Sequence, residues 1–249
     1  MTTPILATRD LGKRFGQFVA LKGVSVDFPE GRITSIIGPN GAGKSTFFNL
    51  LSGGNRPSSG SIVFQGVDIT GLPRHRYARL GIAKSFQITS IFRTLSVLEN
   101  VRFAVQSRFR TYDFITPRED LPKYSDRARE ILEQVGLGDK TTQQASELSH
   151  GEQRCLDIAI ALACNPKLLL LDEPTAGMSP EETRAVMDLV LKLSQSHTVV
   201  LVEHKMKLIM GISDHVIVLH HGELLAQGTP KEVHCNEEVR RVYLGKTKD

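Results

Sequence analysis

Two short runs, Leu168 to Leu171 and Thr198 to Val202, are apolar apart from Thr198 at the start of the second. Such runs predict strands buried on both faces, as in a parallel sheet. Ile33 to Ile37 is a third strand. Elsewhere the pattern alternates: Val24, Val26 and Phe28 are interleaved with Ser25 and Asp27, the signature of a half-buried antiparallel strand. Ile5 to Arg9, Gly23 to Phe28 and Ser61 to Gln65 read as short strands, with Asn55 to Gly60 as a turn cluster. Arg74 to Leu80 predicts a short helix and Ile82 to Phe86 a strand. From Ser96 to about Leu148 the period changes. Val97, Leu98, Val101 and Val105 recur at helical spacing, as do Ala128, Ile131, Leu132 and Val135, and no strand is expected there. Between them Arg108 to Ser125 is polar, carries Pro117 and Pro122, and reads as a loop. Glu152 to Cys164 is apolar nearly all round and predicts a buried helix that Pro166 ends. Pro180 opens a helix whose one apolar face is Ala185, Val186, Leu189, Val190 and Leu193. Val216 to Leu219 and Glu223 to Ala226 flank His220-His221-Gly222 as a hairpin. The expected architecture is one domain of the α/β class. Its core and an antiparallel β portion span about 1–87 and 151–249, and a helical insertion spans about 88–150.

Composition alters this picture little. With 249 residues the chain has length enough for a sizeable core. Its 31 basic and 27 acidic side chains leave a charge of +4 spread along the chain, which reads as a solvated surface rather than a nucleic-acid footprint. Arg102, Arg108 and Arg110 near Phe103 and Phe109 read as a solvated helix face or a partner contact. Cys155, Cys164 and Cys235 show no paired spacing; the first two read as small core residues, and a reducing compartment is expected. Met1 to Asp10 lacks a signal-peptide pattern, and no run approaches the roughly 20 apolar residues of a membrane helix. A membrane role is therefore expected to come through a partner. His220-His221 reads as hairpin surface.

Candidate chemistry begins after Ile37. Gly38-Pro39-Asn40-Gly41-Ala42-Gly43-Lys44-Ser45-Thr46 follows a strand and precedes Phe47 to Leu51, which continues as a helix. Gly38, Gly43, Lys44 and Ser45 satisfy the phosphate-loop pattern. Backbone N–H groups at a helix N-terminus attract concentrated phosphate charge, and the glycines let the backbone come close. Lys44 can reach the β- and γ-phosphates and the Ser45 hydroxyl can ligate Mg²⁺. The loop alone does not separate a kinase, a GTPase, a motor or a transporter engine.

Two further stretches narrow the choice. Leu168 to Leu171 ends in Asp172-Glu173, placing acids at the carboxyl edge of a parallel sheet, where such folds bind ligands. Asp172 can hold the Mg²⁺ shell, while Glu173, one residue on, can polarise an attacking water. Two adjacent acids with different tasks fit hydrolysis better than transfer to a bound acceptor. In Leu148-Ser149-His150-Gly151-Glu152-Gln153-Arg154, Ser149 and Glu152 form a capping box before the buried helix, whose N–H groups make a second anion site.

Together with Leu171 to Thr175 and Glu203-His204, these motifs resemble the ATP-binding cassette (ABC) family over almost the whole chain. The resemblance implies a P-loop NTPase, an ABC ATPase core with an antiparallel β portion and a helical subdomain. It also implies a head-to-tail dimer in which each ATP lies between one subunit's phosphate loop and the other's signature, here Ser149, Gly151 and Glu152. It implies that Phe15 stacks on adenine. Gln87 would contact Mg²⁺ or water, next to the groove that holds the membrane partner, and His204 would contact the γ-phosphate. Two departures stand out. His150 replaces the usual glycine and can alter the local fit. Gly177-Met178-Ser179-Pro180 lacks the common aspartate of its loop.

The implied protein is an ABC transporter ATPase subunit, using ATP and Mg²⁺ and acting on separate transmembrane permease subunits. It would sit peripherally on the cytoplasmic face of the inner membrane, as a homodimer or with a second ATPase subunit. A periplasmic or extracellular binding protein would be an indirect partner, and nucleic acid would not be one. Glu203 to Asp214, Arg79 to Ile82 with Ser85-Phe86-Gln87, and Val242-Tyr243-Leu244-Gly245 resemble the ATPases of branched-chain amino-acid uptake. Urea-import and lipopolysaccharide-export ATPases are related alternatives. A non-transport ABC ATPase of DNA repair or ribosomes is a further one, against which the single cassette and short insertion speak.

Overall fold

The computed structural model describes residues 4–85, 91–109 and 121–244. Two antiparallel strands open the chain, β1 (Pro4–Phe15) and β2 (Phe18–Pro29). In β2, Val24, Val26 and Phe28 are buried and Ser25 and Asp27 exposed, as the alternation requires. Both strands run well past the stretches read from the sequence. The reason is a register shift between Thr8 and Leu11, where Asp10 takes φ 46. A bulge resets the alternation, so a period-two reading stops at Arg9. β3 (Ile33–Ile37) leads through the glycine loop into α1 (Lys44–Leu51). β4 (Ser59–Phe64) and β5 (Val67–Asp68) complete a four-stranded sheet in the order β2-β1-β4-β5. α2 (Arg74–Leu80) and β6 (Ile82–Ser85) come next; Phe86, at the end of the expected strand, lies outside the described residues.

The insertion is helical. α3 (Val97–Phe109) and α4 (Leu121–Gln134) pack together through Val97, Val101, Val105, Ala128, Ile131 and Leu132, all buried. The loop expected over Arg108 to Ser125 is corrected at both described ends, because α3 continues to Phe109 and α4 already starts at Leu121. Pro122 does not stop α4. It stands in the first turn, where its missing N–H has no intrahelical partner to lose.

Beyond it come α5 (His150–Leu162), β7 (Leu168–Asp172), α6 (Pro180–Ser194), β8 (Thr198–Val202) and α7 (Met206–Ile212). β9 (His215–His220), β10 (Glu223–Gly228), α8 (Pro230–Cys235) and α9 (Glu237–Leu244) end the described chain. α5 begins two residues earlier than expected because its cap is Ser149, whose side chain accepts from the Glu152 N–H while Glu152 reaches back to the Ser149 N–H. Such reciprocal caps contribute roughly 1 kcal/mol. The second sheet has the order β10-β9-β3-β8-β7-β6. Its strands from β9 to β6 are parallel and β10 is antiparallel. β3, β7 and β8 are buried along their whole length, as their mainly aliphatic residues require, and they carry Thr34, Ser35, Asp172 and Thr198 into the interior with them. One apolar cluster joins this sheet to α3, α4, α5 and α6, and a second joins it to α1 and the four-stranded sheet. A third packs Tyr243 of α9 against a group containing Ile37, the residue before the glycine loop. No helix among the described residues is long and apolar enough to cross a membrane.

Candidate functional site

Register decides where the chemistry meets. Ile36 pairs with Val202, and Val202 with Asp172, so the carboxyl ends of β3, β8 and β7 form one row. The segment leaving each of these strands is therefore delivered to the same edge of the sheet. From β3 comes the glycine loop, which enters α1 through Gly43 at φ 98. A side chain there would be strained, and its Cβ would press on the Ala20 carbonyl at 2.8 Å. No side chain caps α1, which leaves its first N–H groups available to an anion.

Asn40 to Thr46 line a cleft of about 250 Å³ together with Phe18, Ala20 and Glu173. Lys44 is folded back, its Nζ donating to the carbonyls of Gly38 (2.7 Å) and Pro39 (3.0 Å). Burial pushes its ammonium below the ordinary lysine range, and the facing Glu173 carboxylate partly offsets this. A wider cleft of about 830 Å³ lies at the opposite edge, near Glu30, Leu162, Lys167, Leu193 and His197. The carboxyl ends of α5 and α6 wall it, and their dipoles disfavour an anion.

Asp172 ends β7, nine-tenths buried. Its Oδ2 lies 3.2 Å from Lys84 Nζ, and its backbone carbonyl accepts from Arg154 of α5 at 2.6 Å. Arg154 also pairs with buried Asp157 at 3.2 Å. Glu173 sits next to Asp172 with φ 43, a left-handed kink that turns it away from the strand direction. Its N–H donates to the Val202 carbonyl at 3.0 Å, anchoring the kink to β8. Across the row, Glu203 is fully buried and accepts from the Thr175 hydroxyl (2.6 Å) and N–H (3.2 Å). It thereby ties the turn after Glu173 to the end of β8. His204, the next residue, holds a half-exposed imidazole, and its own N–H donates to Glu203.

The other expected residues lie apart from the cleft. Ser149, Gly151 and Glu152 stand at the start of α5, against α6. The Gly151 N–H, one of the groups assigned to an anion site, donates here to the Glu182 carboxylate at 3.0 Å. That helix end does hold an anionic group, and it is the protein's own. Glu152 pairs with Lys140. His150 turns its imidazole toward Gly177. Ser179, within the Gly177 to Pro180 stretch that lacks the common aspartate, caps α6 in a second capping box with Glu182. Phe15 is about half exposed, with the Lys13 ammonium 4.9 Å from its ring centre; its strand partner Phe18 is the aromatic on the cleft wall. Gln87 lies outside the described residues. Cys155 is a core neighbour whose thiol burial pushes up to about 11.

Sequence reading misses Phe18, Lys84, Glu182 and the burial of Glu203. Two of these carry a local signal: Glu203, an acid directly after Thr198 to Val202, and Glu182, which stands three residues after Ser179 at capping-box spacing. Also missed is the brace supplied by the β9–β10 hairpin. The Gly222 N–H donates to the Ala42 carbonyl (3.0 Å), and the Gly222 carbonyl accepts from Lys22 (2.8 Å). A Cβ on Gly222 would sit 2.7 Å from the Ala20 carbonyl, at φ +81. Gly222→Ala is therefore expected to cost about 2 kcal/mol, lowering Tm by roughly 5 °C. Gly31→Ala, with similar φ but open space around it, should cost about half as much. Thermal unfolding of both variants checks this.

The Ser45 hydroxyl and the Asp172 carboxylate are hard oxygen donors, the kind Mg²⁺ takes beside phosphate oxygens and water. This donor set fits that ion.

A family model described as ABC transporter matches residues 21–176, and one described as branched-chain amino acid ATP-binding cassette transporter matches 223–249. The chain is 42% identical over 253 residues to the high-affinity branched-chain amino acid transport ATP-binding protein LivG of Salmonella typhimurium, covering 98% of this chain and 99% of that protein. Among solved structures, an ABC-transporter ATP-binding cassette in its ADP conformation superimposes with a TM-score of 0.86 at 32% identity, over 98% and 100% of the two chains. A dimeric cassette in a post-hydrolysis state bound to ADP and Pi does so with 0.76 at 27% identity, over 90% and 98%.

Proposed function

The chain belongs to the ABC transporter family, and we propose that within it this protein is the ATP-hydrolysing subunit of a branched-chain amino-acid uptake system. One observation carries the hydrolytic part: the Glu173 carboxylate lines the same cleft as Lys44, Ser45 and the uncapped start of α1. A phosphate holder and an acid that can take a proton from water share one space.

In this reading the α1 N–H groups and Lys44 hold the β- and γ-phosphates, Lys44 leaving its loop carbonyls to do so. Phe15 stacks on the adenine. Ser45, Asp172 and Gln87 hold Mg²⁺, which when bound neutralises charge on the phosphate oxygens. Glu173 orients the attacking water and accepts its proton as the oxygen bonds to the γ-phosphorus and ADP departs. His204 donates to the γ-phosphate. Ser149, Gly151 and Glu152 of a second ATPase subunit close over the same nucleotide. The solved dimeric cassette with ADP and Pi supports such a pairing. Closure and reopening are passed to permease subunits on the cytoplasmic face of the membrane, with an external binding protein delivering cargo.

Two features support the cargo: the likeness to LivG over nearly the full length, and the match of the C-terminal stretch to a branched-chain cassette model. The test is purification from membranes with the attached subunits, then reconstitution into proteoliposomes. ATP-dependent uptake of labelled leucine, isoleucine or valine is expected. A complex that moves urea and none of these three overturns the cargo assignment.

A further inference from the structure

Lys84 places a buried positive charge beside an acid of the nucleotide edge. It leaves β6 and crosses to the end of β7, where its Nζ lies 3.2 Å from Asp172 Oδ2. The same ammonium donates to Asn49 Oδ1 of α1 at 2.8 Å and lies 4.8 Å from the centre of the Phe48 ring. Both charged side chains are 10% exposed. A charge so far removed from water is tolerated only when paired and hydrogen-bonded. Here Asp172, an amide oxygen and an aromatic face together satisfy the ammonium. Arg154 donates to the backbone carbonyl of Asp172, and its guanidinium also feels the Asp172 carboxylate through space. Arg154 thus fixes the strand end, and Lys84 fixes the carboxylate.

We propose that Lys84 is the resident counter-cation of Asp172, a positioning residue that holds the carboxylate in place and raises the Mg²⁺ concentration at which nucleotide is retained. The proposal rests on the reading of Asp172 as a metal-binding carboxylate. A divalent cation drawn to this oxygen pair meets a carboxylate whose charge a neighbour at 3.2 Å already offsets, so the two cations compete for it. Because Asn49 belongs to the helix that the glycine loop opens, Lys84 also couples the carboxylate to the phosphate-holding element.

The experiment titrates Mg²⁺ against binding of a non-hydrolysable ATP analogue in the full chain. Lys84→Met and Lys84→Gln are each expected to lower the half-saturating Mg²⁺ about tenfold, while Lys84→Arg stays within about twofold of the parent. Asp172→Asn should raise it at least about tenfold, and adding Lys84→Met to Asp172→Asn should then change nothing. In EDTA, Lys84→Met should unfold at a lower temperature than the parent, with the deficit shrinking as Mg²⁺ and nucleotide are added. Should the methionine variant not fold, the glutamine variant, which keeps a hydrogen bond and loses the charge, decides. Half-saturation unchanged or raised in the uncharged variants, with Asp172→Asn impaired, overturns the role of Lys84. Half-saturation unchanged in Asp172→Asn overturns instead the metal-site reading beneath it.

Discussion

Glu173→Gln is expected to lower the turnover of ATP by about 10² to 10⁴-fold, the usual contribution of a positioned general base, while ATP binding persists. The two side chains are nearly isosteric, and the kink at φ 43 is held by backbone bonds to Val202 and Ala176 that the substitution does not touch. What disappears is the carboxylate on the cleft wall. Its loss also removes the negative charge that Lys44 feels across the cleft, so the field on an incoming phosphate becomes more positive and affinity is kept or improved. A nucleotide that is bound and not cleaved should hold two subunits closed, visible as an ATP-dependent dimer in size-exclusion chromatography. A variant hydrolysing ATP at the parental rate would remove Glu173 from the chemistry.

Specific ATPase activity should fall steeply on dilution, by about 10³-fold or more below the dimerisation concentration, because phosphoryl-transfer groups supplied in trans contribute roughly 10³ to 10⁵ in related P-loop chemistry. On the proposed reading, in which the signature is supplied in trans, the single chain is incomplete in a definite way. Ser149, Gly151 and Glu152 do not line the cleft of the phosphate loop, and the Gly151 N–H is held by Glu182. A γ-phosphate in one subunit's cleft therefore meets a signature only if another subunit brings it. Total activity is expected to rise with nearly the square of protein concentration in the dilute range. Strict proportionality down to nanomolar protein would show that one chain suffices.

The parts of this protein legible in its residues are those governed by neighbours a few positions away. Short aliphatic runs such as Leu168 to Leu171 and Val199 to Val202 have one burial solution, so β7 and β8 follow from composition and length alone. The glycine loop between β3 and α1 is likewise local, since φ 98 at position 43 admits little but glycine. So are the caps at Ser149 and Ser179, each a serine with a glutamate three residues on. Even here a reset or a permissive position misleads. The bulge at Asp10 hides half of β1, and Pro122 reads as a loop residue although it stands in the first turn of α4.

Tertiary structure alone decided which partner each buried or site carboxylate meets. Lys84 meets Asp172 across 88 positions of sequence, Thr175 meets Glu203 across 28, and Gly151 meets Glu182 across 31. These contacts exist because parallel strands with helical crossovers bring distant segments to one sheet edge in a register that side-chain period does not reveal. The same holds for Gly222 under the phosphate loop, and for Phe18 on the cleft wall beside the expected Phe15. Identity of the acids and of the phosphate loop is written in the chain. Which charge balances which, and what must move before a phosphate can enter, is set by how the strands line up.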